Sequence, residues 1–149
     1  MTAKFKVLFL CTGNSCRSQM AERWARHLLP EKVEAHSAGL TAKGLNPRAV
    51  RVMREARVDI SHQRSKEIDA VIGIPFDFVI TVCGHANEHC PVFPGGARVI
   101  HAPFDDPPEL ALGAKTEEEA LGHFRRVRDE IRAFVLTLPA TLSPLPGRR

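Results

Sequence analysis

The chain has 149 residues, 44% hydrophobic and 26% charged, with a formal net charge of +4. That length suits one domain able to bury about two-thirds of the surface its unfolded chain exposes, and the composition excludes a disordered, collagen-like or coiled-coil protein. No apolar run approaches the ~20 residues of a membrane span, and residues 1–6 lack the apolar core of a secretory signal, so a cytoplasmic protein without a membrane partner is expected.

Lys4 to Leu10 is short, apolar and β-prone, and reads as a buried strand. Next, Cys16, Met20, Trp24 and Leu28 recur every four residues, which marks one face of a helix ending near Pro30. Val33 to Ser37 reads as a second strand. Asn46 and Pro47 form a helix start, Asn as cap and Pro in the first turn. That helix runs to about Ala56 with Ala49, Val50 and Met53 facing inward. Its arginines Arg48, Arg51 and Arg54, with Arg57, recur every three residues and form a solvated flank; no nucleic-acid surface is expected.

A short helix is expected over Lys66 to Ile72, and strands over Phe76 to Val82 and Arg98 to Ile100. Thr116 and Glu119 form a capping box. It opens the clearest helix, Thr116 to Leu138, lined by Leu121, Phe124, Ile131, Phe134, Val135 and Leu138. The proline-rich residues 139–149 read as a loose tail, which leaves residues 1–138 as one domain. Alternating strands and helices predict an α/β protein, a parallel sheet covered on both faces with its ligand site beyond the strand C-termini. Cys11 and Cys83 each follow such an end.

There are four cysteines, Cys11, Cys16, Cys83 and Cys90. In a reducing compartment they point to catalysis, metal binding or redox work rather than to structural disulfides. Cys11, Thr12, Gly13, Asn14, Ser15, Cys16, Arg17 and Ser18 join a strand to a helix, where loop amides and a helix N-terminus point at an anion. Gly13 permits a tight backbone, and Asn14 tolerates positive φ. Arg17 closes the ring with a fork suited to two oxygens. A thiol at the floor of such a loop is held in conditions that favour the thiolate, and Ser18 offers it a hydrogen bond. Cys16 reads as a small residue supporting the loop.

This loop resembles the phosphate-binding loop of the low-molecular-weight protein tyrosine phosphatase superfamily. More narrowly it resembles that of the thioredoxin-coupled arsenate reductases built on the same fold. The resemblance implies a three-layer α/β sandwich with a four-stranded parallel sheet flanked by helices. A monomer that needs no cofactor is expected, with arsenate or phosphate as its oxyanion.

Cys83 and Cys90 are seven positions apart. A continuous helix would separate them by ~10.5 Å along its axis, too far for a disulfide, so bonding requires the segment to unwind. Arsenate reductases of this kind carry such a pair and plain phosphatases of the fold do not. The resemblance therefore implies a relay from Cys11 through Cys83 to Cys90, with thioredoxin as reductant. His85 and His89 read as surface histidines, and no metal site is expected.

Asp106, before Pro107, matches the superfamily's general acid, and Asp105 reads as a residue that shapes the loop or supports the site from behind. The phosphatases usually follow this Asp-Pro with tyrosines. Here Pro108, Glu109 and Leu110 follow and the chain contains no Tyr, which favours a small inorganic oxyanion. Some relatives bind potassium beside the loop. Asn14, Glu22 and Ser37 match part of that pattern, while Arg64 and Lys66 stand where oxygen ligands would, so a fixed cation is expected to replace potassium.

Overall fold

The computed structural model describes residues 4–93 and 95–142. Strand β1 (Phe5–Cys11) leads through a loop into α1 (Arg17–Leu28), followed by β2 (Val33–Gly39) and α2 (Pro47–Glu55). After one 3-10 turn at Ile68–Ala70 come β3 (Phe78–Thr81), α3 (Gly84–Glu88), β4 (Arg98–His101), α4 (Pro107–Ala111) and α5 (Glu117–Leu142). All four strands are parallel, in the order β2-β1-β3-β4. Helix α1 packs on β1, β2 and α5; α5 also carries α2 and α4; α3 packs on β1 and β3. This is the three-layer α/β sandwich expected from the sequence.

Val7, Leu8, Phe9 and Leu10 of β1 have no exposed surface. A central strand covered on both faces requires such a continuous apolar run. Chain order reverses at β1, because β2 lies on one side of it and β3 on the other. Ligands of open α/β sheets bind beyond the strand carboxyl ends at such a reversal. Leu10 is paired with Thr81, so Cys11 and Cys83 leave neighbouring strands at the same end of the sheet.

Several elements depart from the sequence reading for identifiable reasons. Helix α2 buries Ala49, Val52 and Met53 and leaves Val50 only half-buried. It ends at Glu55, and just beyond it Arg57, with φ of 65°, lets Val58 N–H bond back to the Met53 carbonyl at 3.0 Å. The helix expected over Lys66 to Ile72 shrinks to the turn at Ile68–Ala70. Its first backbone groups are committed elsewhere: the Lys66 carbonyl accepts from Gly39 N–H, and Lys66 N–H donates to the Asn14 side chain.

Helix α5 does not end at Leu138. It continues through Pro139 to Leu142, so residues 139–142 are not part of a loose tail. A proline inside a helix costs about 3 kcal/mol, and burial of an apolar side chain as large as Leu142 offsets about 1.5–3 kcal/mol. Leu138 and Leu142 are both buried. The remainder of the expected tail, residues 143–149, lies outside the described residues. Helix α4 has no counterpart in the sequence reading, although Asp106 before Pro107 repeats the cap-and-proline signal of Asn46 before Pro47.

Candidate active site

The loop after β1 is turned inside out relative to an ordinary turn. Its carbonyls point away from the mouth and are all engaged. Cys11, Thr12, Gly13 and Ser15 accept from the N–H groups of Leu40, Thr41, Lys43 and Asn46, and Asn14 accepts from the Gln19 side chain. None of the N–H groups of residues 12–16 finds an acceptor among the described residues. With every carbonyl tied outward, these amides are free to converge on an anion, as backbone nests do. Gly39 makes the close approach possible: a Cβ there would sit 2.3 Å from the Thr41 carbonyl oxygen and 2.7 Å from Asn14 N.

Asn14 is the strut of the loop. It is fully buried with φ of 47°. Its Oδ1 accepts from Lys66 N–H and Gln19 Nε2, both at 2.9 Å. Its Nδ2 donates to Ser18 Oγ at 2.9 Å and Ser37 Oγ at 3.0 Å. Each of these hydroxyls, having accepted, keeps one proton to give. Ser37 donates to Glu22 Oε1 at 2.5 Å, and Ser18 stands 2.8 Å from the Cys11 sulfur with its proton available to it. The nearly buried Cys11 is thereby tied to a hydrogen-bond chain that begins at Asn14.

Arg17 links the loop to the segment before α4. Its Nη1 donates to the Phe104 carbonyl at 2.9 Å, and its Nη2 lies 3.7 Å from Asp106 Oδ1. Asp106 stands at the N-cap position of α4 without a capping bond from its side chain, which is 40% exposed, so it borders both the cavity and solvent. Asp105 turns away to pair with Arg126 at 2.9 Å, which fits a loop-shaping role. The resulting cavity, about 240 Å³, is lined by Cys11, Thr12, Gly13, Ser15, Cys16, Arg17 and Asp106, together with Lys43 and Pro108. Asn14 and Ser18 brace it from behind. Lys43 carries no motif around it and sequence reasoning missed it; Gln19, which ties Asn14 to the Arg64 carbonyl, was missed too.

All four cysteines are unpaired. Cys83 is buried as the N-cap of α3, where its sulfur accepts from Ala86 N–H at 3.3 Å and lies 3.4 Å from Thr12 Oγ1. The second sulfur thus touches the residue next to Cys11. Cys90 follows the far end of α3, half-buried, and burial pushes its thiol pKa up. Cys16 is buried, and desolvation drives its thiol far above the usual cysteine range despite the nearby Arg17. His85 and His89 are exposed neighbours on α3 with ring centroids 4.4 Å apart.

Beside the loop, Glu22 is buried between three partners. Arg26 Nη2 lies 3.1 Å and Lys66 Nζ 3.8 Å from its carboxylate, in addition to Ser37. Burial lowers the Lys66 pKa even though Glu22 opposes that shift. Of the two basic residues singled out here, only Lys66 turns its charge inward. Arg64 is exposed and contributes its carbonyl, which accepts from Gln19 and Lys66.

An arsenate reductase of Halalkalibacterium halodurans is 47% identical over 135 residues, covering 91% of this chain and 95% of its own. A solved structure described as an arsenate reductase in the phosphate binding state superposes with a TM-score of 0.72 at 32% identity, covering 93% of this chain and 98% of that one. A Corynebacterium glutamicum thioredoxin-dependent arsenate reductase gives a TM-score of 0.68 at 28% identity over 94% of this chain and 62% of that one. The family model for low molecular weight phosphotyrosine protein phosphatase matches residues 6–143, a span that takes in the cysteine loop, the Asp106 segment and the helix closing the fold. The chain therefore belongs to the low molecular weight phosphotyrosine protein phosphatase family.

Proposed function

We propose that this protein reduces arsenate to arsenite through Cys11, Cys83 and Cys90. Arsenate sits in the cavity, held by the loop amides and Arg17. The Cys11 thiolate attacks arsenic, and Asp106 protonates the oxygen that leaves as water. Cys83, as thiolate, then attacks the Cys11 sulfur. The sulfur–arsenic bond breaks and its electron pair stays on arsenic, which leaves as arsenite. The two cysteines become a disulfide. Cys90 attacks Cys83, restores the Cys11 thiolate and creates a Cys83–Cys90 disulfide. An external dithiol returns that bond to two thiols, and thioredoxin is the donor that the Corynebacterium relative's name favours.

The observation that carries this reading is the place of Cys83. Its sulfur is buried against Thr12 at the mouth of the Cys11 loop, on a helix one turn long. A merely structural cysteine has no need of that position. The other half of the relay asks α3 to unwind. Gly84 at its start and the absence of a second turn make that inexpensive. Because phosphate has the size and charge of arsenate but does not take electrons from thiols, a weak phosphate-ester hydrolysis is expected that uses Cys11, Arg17 and Asp106 alone.

Cys83→Ser tests the reading. Arsenite production in the presence of thioredoxin, its reductase and a nicotinamide reductant should vanish, while hydrolysis of an aryl phosphate persists. Retention of arsenite turnover in that variant overturns the relay. Absence of arsenite turnover in the unaltered protein, with aryl phosphate hydrolysis intact, favours a phosphatase instead.

A further inference from the structure

We infer that Lys43 is a second oxyanion-binding cation of the cavity, setting its affinity for dianionic arsenate and phosphate. This role deepens the function proposed above and rests on it for the identity of the oxyanion. Catalysis there brings a dianion against a thiolate, and the cavity must supply positive charge to match. Arg17 and Lys43 are the two Lys or Arg side chains among the lining residues. Arg17 is partly committed, donating to the Phe104 carbonyl and facing the Asp106 carboxylate at 3.7 Å. Lys66 is turned to Glu22. Lys43 makes no ion pair among the described residues, and its ammonium is left for a ligand.

The backbone and stem of Lys43 are placed for this. Its N–H donates to the Gly13 carbonyl at 2.9 Å, which fixes residue 43 alongside the loop. Its aliphatic stem then crosses Gly13: a Cβ at that position would lie 2.9 Å from Lys43 Cδ and 3.2 Å from Cγ. The missing side chain at Gly13 leaves room for the lysine stem to lie against the loop, and a Cβ there would push that flexible stem aside. The stem lies against the loop and Lys43 lines the cavity, a placement from which its charged end can extend over the bound anion, the usual behaviour of a lysine on a partly apolar surface.

A solvent-facing charge acts on a dianion a few ångströms away through partly screened attraction. It changes affinity by about fivefold to tenfold at low ionic strength and by much less at high salt, where the Debye length approaches ~3 Å. Lys43→Met keeps the stem over Gly13 and removes only the charge, and Lys43→Arg keeps the charge. The probe is inorganic phosphate titrated calorimetrically into the reduced protein, at low and high salt. For Lys43→Met the expected result is a phosphate Kd weaker by about fivefold to tenfold at low salt, narrowing below about twofold near 1 M salt. Arginine should restore binding, and the arsenate KM should rise in parallel with kcat held. A Kd within twofold of the unaltered protein at low salt overturns the role. So does a weakening that salt does not reduce, which would mark Lys43 as packing only. If the unaltered protein turns over no arsenate, the reductase reading falls, yet the phosphate titration still decides whether Lys43 binds the oxyanion.

Discussion

Replacing Asn14 with Ala tests whether the loop is held from behind. The side chain makes hydrogen bonds to Lys66 N–H, Gln19, Ser18 and Ser37, all in a fully buried setting. Removing it orphans Lys66 N–H, since Gln19 keeps the Asn14 and Arg64 carbonyls and the two hydroxyls keep Cys11 and Glu22. One stranded donor costs about 1–3 kcal/mol, and the other three lost bonds about 0.5–1.5 kcal/mol each. Alanine at φ of 47° adds roughly 1 kcal/mol. The sum is about 6 kcal/mol, which for a chain of this size corresponds to a fall in Tm of ~12–24 °C. Thermal denaturation followed by circular dichroism measures it. Aryl phosphate hydrolysis, assayed well below the lowered Tm, should also fall, because Ser18 loses the donor that orients it toward Cys11. A Tm loss under about 3 °C with hydrolysis intact would refute the bracing argument.

The remaining expectations follow from single contacts. Asp106→Asn should lower kcat for aryl phosphate hydrolysis by about a hundredfold, the usual worth of a positioned general acid, with little change in phosphate affinity; an unchanged kcat contradicts its role. Potassium titrated against turnover and Tm should leave both flat, because Lys66 and Arg26 already face the Glu22 carboxylate, and a saturable rise in either contradicts this. The Arg125 hydrogen bond holds the Glu55 carboxyl below the usual glutamate range. Its contribution is therefore present above the unfolded value near ~4.3 and is lost as pH falls through the lower folded value. Glu55→Gln should lower Tm by up to ~4 °C at neutral pH, a partly exposed pair being worth about 1 kcal/mol at most, and the difference should close as pH falls through the lowered folded value; a pH-independent difference contradicts the ion-pair assignment.

The parts of the fold legible in the sequence were those written by periodicity and capping. Val7 to Leu10 is an uninterrupted apolar run because both faces of β1 are covered. Asn46 announces α2 because its side chain does bond the first free amides, those of Arg48 and Ala49. Thr116 announces α5 through Glu119 N–H, although Glu119 reaches back to Lys115 N–H rather than to Thr116. Periodicity fails where long-range contacts take over the backbone, as at Lys66, and where buried leucines on the core face carry a helix past a proline, as at Pro139. In the site, the loop motif singled out Cys11 and Arg17, a strand end singled out Cys83, and only the family resemblance pointed to Asp106; Cys11, Arg17 and Asp106 line one cavity. Spacing carries no information about residues brought in from other segments. Lys43 and Gly39 reach the loop only because residues 39–46 run beside it, and Gln19 serves the site through its hydrogen bonds to the carbonyl and side chain of Asn14, which no motif signals.

The relay itself is tested most directly by trapping it midway. Cys90→Ser removes the thiol that would resolve the first disulfide. One equivalent of arsenate, quenched by acid and alkylation and mapped by mass spectrometry, should yield one arsenite and a peptide pair joining Cys11 to Cys83. Free Cys11 and Cys83 thiols after arsenite has formed, or a disulfide that joins Cys11 to Cys16 instead, would contradict the account.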